Sequence, residues 1–99
     1  MFARLSTYQG SPVPATGDLA ANAVTVVSQV KHLPGFLGVY YLVDRASGKA
    51  RTLTLWANED AMRESEEVTS HIREEVAARE GQRVLSVERF EVGFSHLKP

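Results

Sequence analysis

The chain contains no cysteine among its 99 residues. That excludes disulfides, thiolate metal ligands and a cysteine nucleophile, and it fits a reducing, cytoplasmic setting. It also has no apolar run near the ~20 residues that cross a bilayer, so no membrane partner is expected. The first residues, Met1 to Ser6, lack a cationic stretch followed by an apolar one, and no signal peptide is expected. Neither sign of charge dominates. Eleven basic and twelve acidic residues give a net charge of −1, which exerts no general pull toward nucleic acid or anionic lipid. The three histidines, His32, His71 and His96, are too scattered to suggest a metal site. Nucleophile elbow, phosphate loop, internal repeat and low-complexity segment are all missing.

What is present is an ordinary globular composition, 43% apolar and 23% charged, of a length that suits one domain over residues 1–99. A core of that size is small, so burial between subunits would add useful stability. Phe2 to Tyr8 reads as a strand. Gln9 to Gly17 (QGSPVPATG) reads as a loop, because its prolines and glycines break regular structure. Asp18 is the expected N-cap of a first helix whose Ala20, Ala23, Val24, Val27 and Val30 recur at helical spacing and which Leu33-Pro34-Gly35 ends. Phe36–Asp44 and Ala50–Ala57 form a strand–turn–strand unit around Ser47-Gly48. Asn58 is the expected N-cap of one long helix running to about Arg79, with Gly81 after it. Its apolar stripe is Ala61, Val68, Ile72 and Val76, with Ser65 among them. Residues 59–80 carry eight acids against three arginines, which reads as a solvated helix face. Arg83 to Phe94 is the last strand. The order β-α-β-β-α-β predicts an α+β, ferredoxin-like fold, with an antiparallel sheet and both helices on one face.

Two helices cover only one face of that sheet. Alternation along the strands gives two sets. One is Phe2, Arg4, Ser6 and Tyr8, with Phe36, Gly38, Tyr40 and Leu42, and with Thr52, Thr54 and Trp56. The other is Ala3, Leu5 and Thr7, with Leu37, Val39, Tyr41 and Val43, and with Leu53, Leu55 and Ala57. The second set is almost wholly apolar and the first mixes aromatics, hydroxyls and one arginine, so neither resembles a solvated face. A homodimer pressed sheet to sheet is expected. The last strand changes phase between Val87 and Phe90, which a bulge or a tail reaching onto the partner would explain.

Leu33-Pro34-Gly35-Phe36, the hairpin, and Leu53 to Ala61 (LTLWANEDA) together resemble the antibiotic biosynthesis monooxygenase domain of the dimeric α/β-barrel superfamily, over nearly the whole chain. The resemblance implies a dimeric α/β barrel with a ligand cavity between sheet and helices, lined by Trp56. The quinone-forming branch of that family uses asparagine, tryptophan and tyrosine, for which Asn58, Trp56, Tyr40 and Tyr8 are the candidates here. The heme-degrading branch uses a first-strand asparagine and a second-helix histidine. Ser6 and Glu66 stand in those places, and the nearest histidine is His71, which argues against heme chemistry.

The resulting expectation is a cofactor-independent monooxygenase-like protein acting on a small aromatic, phenolic or quinoid compound without metal or bound organic cofactor. Trp56 would stack on the ring, Tyr40 or His71 would handle the proton, and Arg4, Ser6, Tyr8, Thr54 and Asn58 would contact the ligand. Each residue also has a plainer role. Trp56 and the tyrosines fill cores, His71 is an edge-of-stripe surface histidine, and Arg4 snorkels to the sheet edge. Those roles support the alternative, a non-catalytic ligand-binding or structural homodimer.

Overall fold

A computed structural model describes residues 1–21 and 23–99. The elements are β1 (Phe2–Gln9), α1 (Ala23–Val30), β2 (Phe36–Val43), β3 (Lys49–Trp56), α2 (Glu59–Glu64), α3 (Glu66–Arg79) and β4 (Arg83–Glu91). The four strands form one sheet in the order β2-β3-β1-β4, every neighbour antiparallel. This is the ferredoxin-like arrangement that the element order predicts. Among the described residues no helix is long and apolar enough to cross a membrane.

The registers of β1 and β3 place Phe2 beside Trp56, Arg4 beside Thr54, Ser6 beside Thr52 and Tyr8 beside Ala50. The mixed set therefore holds on these two central strands. On β2 it does not. The register shifts between Phe36 and Gly38, so Phe36 pairs with Trp56 while Val39 pairs with Thr54, Tyr41 with Thr52 and Val43 with Ala50. One extra residue in a strand turns every later side chain to the opposite face. Val39, Tyr41 and Val43 thus join Arg4 and Ser6. Tyr40 and Leu42, expected beside them, stand on the other face opposite Leu53 and Arg51. A second register shift, between Thr7 and Tyr8 against β4, falls at Leu85; the stretch from Val87 to Phe90, where the change of phase was expected, pairs with β1 in unbroken register.

The helical regions also differ from their sequence patterns. The first helix begins at Ala23 rather than after Asp18. The Asp18 carboxylate instead accepts from the Ala20 N–H in a tight local turn, and Asn22 lies outside the described residues. Asn58 does cap α2, its side chain accepting from the Ala61 N–H at 2.8 Å. The single long helix is broken at Ser65. There the Met62 carbonyl accepts from both the Ser65 hydroxyl and the Arg4 guanidinium. Side chains that occupy a helical carbonyl in this way bend the ladder. The break re-aims the stripe: Ser65 and Thr69 are buried, and Val68 is 45% exposed. At its far end α3 closes with Gln82 N–H to Ala77 O and Gly81 N–H to Ala78 O, a Schellman motif.

Two glycines hold the connections. Gly35 has φ +76°, and a Cβ there would lie 2.4 Å from the Cβ of Ala61. Only glycine lets the β2 approach sit this close to α2. Gly48 ends the hairpin with φ +77°, and a Cβ would meet the Gly10 carbonyl at 2.4 Å. Its own carbonyl accepts from Gly10 N–H at 3.0 Å, which ties the hairpin tip to the loop after β1.

Candidate functional site

The core on the helix side of the sheet divides in two. At one end Trp56, Ala61 and Met62 pack with Phe2, Leu33 and Phe36. At the other Tyr8, Ala50 and Ala77 pack with Val43 and Val84. The middle of the sheet offers Ser6, Thr52 and Thr54 to the helices, side chains too short to reach across the gap. A cavity of about 540 Å³ lies there, between the sheet, α1 and α3. Drug-sized ligands occupy cavities of this order. Val26, Val27 and Val30 of α1 and Ile72 and Val76 of α3 form its apolar roof, while Val39, Tyr41 and Val43 bring β2 to its side.

The hydroxyl floor comes from adjacent strands. Ser6 on β1 stands directly opposite Thr52 on β3. Tyr8 Oη and Thr52 Oγ1 are 3.3 Å apart, within hydrogen-bond range. Tyr41 is the neighbour of Thr52 on the other side and reaches the cavity half-exposed.

Arg4 closes one end. It is 2% exposed and turns inward, so it does not snorkel as expected. Nη1 donates to Thr69 Oγ1 at 2.9 Å, and Nη2 donates to Ser65 Oγ at 3.0 Å and also to the Met62 carbonyl. Nη2 also lies 2.9 Å from Glu66 Oε2. Its Cζ sits 5.5 Å from the centre of the Trp56 ring, a cation–π contact. Arg4 is thus the strut that joins β1 to the break between α2 and α3. Burial lowers its pKa, against the raising effect of Glu66. Glu66 is held in turn by Arg89 from β4, through a forked pair of hydrogen bonds. Burial pushes the Glu66 carboxyl up, but the Arg89 hydrogen bonds and the charges of Arg4, Arg89 and Arg73 together hold it below the ordinary carboxylate value.

Of the residues expected to bind ligand, Arg4, Ser6, Tyr8 and Thr54 are brought together on the cavity wall. Asn58 is not among them, since its side chain caps α2. The three residues expected to carry chemistry are elsewhere. Trp56 is fully buried behind the cavity, its indole N–H donating to Thr54 Oγ1 at 3.0 Å and its ring meeting Phe36 edge-on at 5.5 Å. Tyr40 is on the open face, carried there by the β2 bulge. His71 is exposed on α3, beside the lining residue Ile72 but outside the lining itself. The sequence reading missed Tyr41 and Arg73. Arg73 had a usable signal, because it falls one turn after Thr69 on the stripe that the Ser65 break turns toward the sheet. Among the described residues no group of three or more histidines and acids could hold a metal ion.

The face of the sheet away from the helices carries Leu5, Tyr40, Leu42, Leu53, Leu55 and Phe90, as the registers show. Tyr40, Leu42 and Phe90 are each close to half-exposed.

No family model matches the chain. Two uncharacterized proteins, from two strains of Mycobacterium tuberculosis, are each 31% identical over 77 residues, 78% of this chain and 33% of theirs. The chain therefore spans about a third of the length of the curated relatives it matches. Among solved structures, a Deinococcus radiodurans protein described, provisionally, as an antibiotic biosynthesis monooxygenase superposes with a TM-score of 0.66. The alignment covers 100% of this chain and 99% of that one at 19% identity. The chain has the fold of that protein, the α+β, ferredoxin-like fold that the sequence resemblance implied.

Proposed function

We propose that this chain is a monooxygenase-like member of the antibiotic biosynthesis monooxygenase family, working on a small aromatic, phenolic or quinoid compound held between sheet and helices. The observation that carries this reading is the cavity itself, apolar above and lined with hydroxyls below. Its support from comparison is the full-length likeness in fold to the Deinococcus radiodurans protein. The chain's contribution is a dry compartment and orientation. Valines on three elements exclude water around a ring, and Ser6, Thr52 and Tyr8 fix its polar substituents.

An activated phenol or anthrone supplies the electrons, so the reaction asks for no metal or bound organic cofactor. Loss of a proton gives a carbanion-like substrate that passes one electron to O₂. Recombination forms a carbon–oxygen bond to a peroxide. Expulsion of water then leaves the new carbonyl, with one oxygen atom in the product and one in water. Of the groups able to take the first proton, the carboxylates Asp18 and Glu80 line the cavity, and the hydroxyls of Tyr8, with its Thr52 partner, and Tyr41 face it to hydrogen-bond the substrate oxygen. The reading extends to a homodimer through the open sheet face, because half-exposed Tyr40, Leu42 and Phe90 form an apolar patch of the kind single soluble chains rarely leave in water.

Oxygen uptake with a panel of anthrones and hydroquinones in metal-free buffer tests the chemistry. Turnover that is lost in Thr52→Val and Tyr8→Phe supports it, and no uptake across the panel removes it. The second reading, a non-catalytic ligand-binding homodimer, is favoured by one observation: Trp56, Tyr40 and His71 all lie off the cavity wall. Tight binding of panel compounds with no oxygen uptake would select it.

A further inference from the structure

We infer that the ligand of the cavity is an organic acid, an aromatic or alkyl carboxylate whose anionic head pairs with Arg73. This rests on the reading of the cavity as a ligand site and names the class of ligand it takes.

Arg73 lines the cavity from α3, between Ile72 and Val76 on the wall and one turn beyond Thr69. It is partly buried, and no described carboxylate lies within 4.0 Å of it. The acid on which the charge of Arg73 acts, Glu66, is already committed. Glu66 serves Arg4 with one oxygen and Arg89 with both. Two guanidinium groups, Arg4 and Arg89, therefore share one carboxylate in direct contact, and Arg73 adds a third positive charge that acts on Arg4 and Glu66. This end of the cavity is short of negative charge.

The two acids that do reach the cavity have other work. The Asp18 carboxylate holds the Ala20 N–H, and Glu80 lies 3.7 Å from Arg79. Arg4 cannot offer a forked pair to a carboxylate, because its two terminal nitrogens are taken up by Thr69, Ser65, Met62 and Glu66 and only its buried Nε is without a partner. Arg73 is left as the cation facing the cavity, and a planar guanidinium pairs with a carboxylate through two parallel hydrogen bonds.

The rest of the wall sets the other half of the ligand. Beyond Arg73 the surroundings are Val27, Val30, Val39, Val43, Ile72 and Val76. An anion with an apolar body fits this arrangement. A free inorganic anion would leave most of the cavity empty, and a neutral hydrocarbon would leave Arg73 unpaired. Ser6 supports the same geometry: the residue is 3% exposed and lines the cavity from the floor, in position to donate to a polar group.

The test uses 2-naphthoate and its methyl ester as probes, measured by isothermal titration calorimetry on the wild-type chain, Arg73→Gln and Arg73→Lys. The expected result is that the wild type binds the acid about tenfold or more tighter than the ester, the scale of one charge-assisted pair. Arg73→Gln should bring the two probes to similar affinity by weakening the acid alone, and Arg73→Lys should keep part of the preference. Circular dichroism and thermal melting of each variant confirm that the fold is intact. If the wild type binds both probes equally, or if Arg73→Gln leaves the preference unchanged, the assignment of Arg73 is wrong while the ligand cavity stands. If neither probe binds the wild type, both the assignment and the cavity reading fall.

Discussion

Arg4 Nη2 lies 2.9 Å from Glu66 Oε2, so that a first-strand cation and the first residue of α3 are paired beneath the bend in the helical region. The pair does more than neutralise charge. Arg4 also holds the Met62 carbonyl and the Ser65 and Thr69 hydroxyls, the polar groups that the bend exposes to the interior. Arg4→Ala should strand those acceptors and cost about 3 kcal/mol or more, in the range seen when one member of a buried charged network is removed. Urea denaturation followed by circular dichroism measures it. A loss below about 1 kcal/mol, the scale of a surface pair, would show that the network contributes little.

Glu66 gives that network a pH dependence whose sign is fixed. Its carboxyl is held below the ordinary value in the folded chain, so the unfolded chain binds its proton more readily. The contribution is fully present above the unfolded carboxylate value and is lost as pH falls through the lowered folded value. The stability gap between wild type and Glu66→Gln should therefore be widest near neutrality and shrink in acid. Denaturant titrations at neutral pH and at about pH 3, below the ordinary glutamate range, read it directly. A gap that grows on acidification would contradict the ion-pair geometry.

Gly35 and Gly38 form an internal control. Gly35→Ala forces a Cβ to 2.4 Å from Ala61 and a side chain into a left-handed backbone conformation, whereas a Cβ at Gly38 meets nothing within 4 Å. The first should cost about 2 kcal/mol or more, and the second should be near neutral. Thermal melts of the two variants settle the comparison, and equal losses would mean that α2 does not sit where the structure puts it.

Trp56→Phe should separate packing from binding. It removes the indole N–H bond to Thr54 and part of the contact with Arg4 and Phe36. A loss of about 1–3 kcal/mol in stability is expected, from an unsatisfied partner and an underfilled site. Ligand affinity should change little, because the ring lies behind the cavity wall. Tyr41→Ala should do the reverse. A large affinity loss in Trp56→Phe with unchanged stability would return the tryptophan to the ligand.

The open face predicts assembly. Leu42→Lys places a second positive charge opposite Arg51 on that face, and sedimentation should show a wild-type mass of twice 10.9 kDa falling to the single-chain value in the variant. A wild type that stays monomeric at micromolar concentration would remove the dimer.

The sequence revealed elements whose signals are local. Asn58 as a cap, Gly81 after α3, the Gly48 hairpin and the alternation of β1 and β3 all depend on near neighbours, and the structure places them as read. Three features were hidden. The β2 bulge left no trace because Phe36 to Val43 is apolar on both faces, so no alternation was there to break. The break at Ser65 needs Arg4, which is 61 residues away in the chain. Asp18 satisfies every local rule for an N-cap, yet it turns the chain without starting the helix. The candidate site was half legible for the same reason: β1 and β3 were assigned to the right face, and the β2 and α3 contributions moved with the bulge and the break.

Tyr40 and Tyr41 are neighbours in sequence with opposite destinations, one toward the outer face and one toward the enclosed space. The register slip between Phe36 and Gly38 makes that choice for them. A strand greasy on both sides would be content either way up, so its orientation is inherited from a single upstream irregularity. Lengthening or shortening the chain by one residue at that spot would exchange the wall of the chamber for the contact surface, and two properties usually thought of as separate would change hands together.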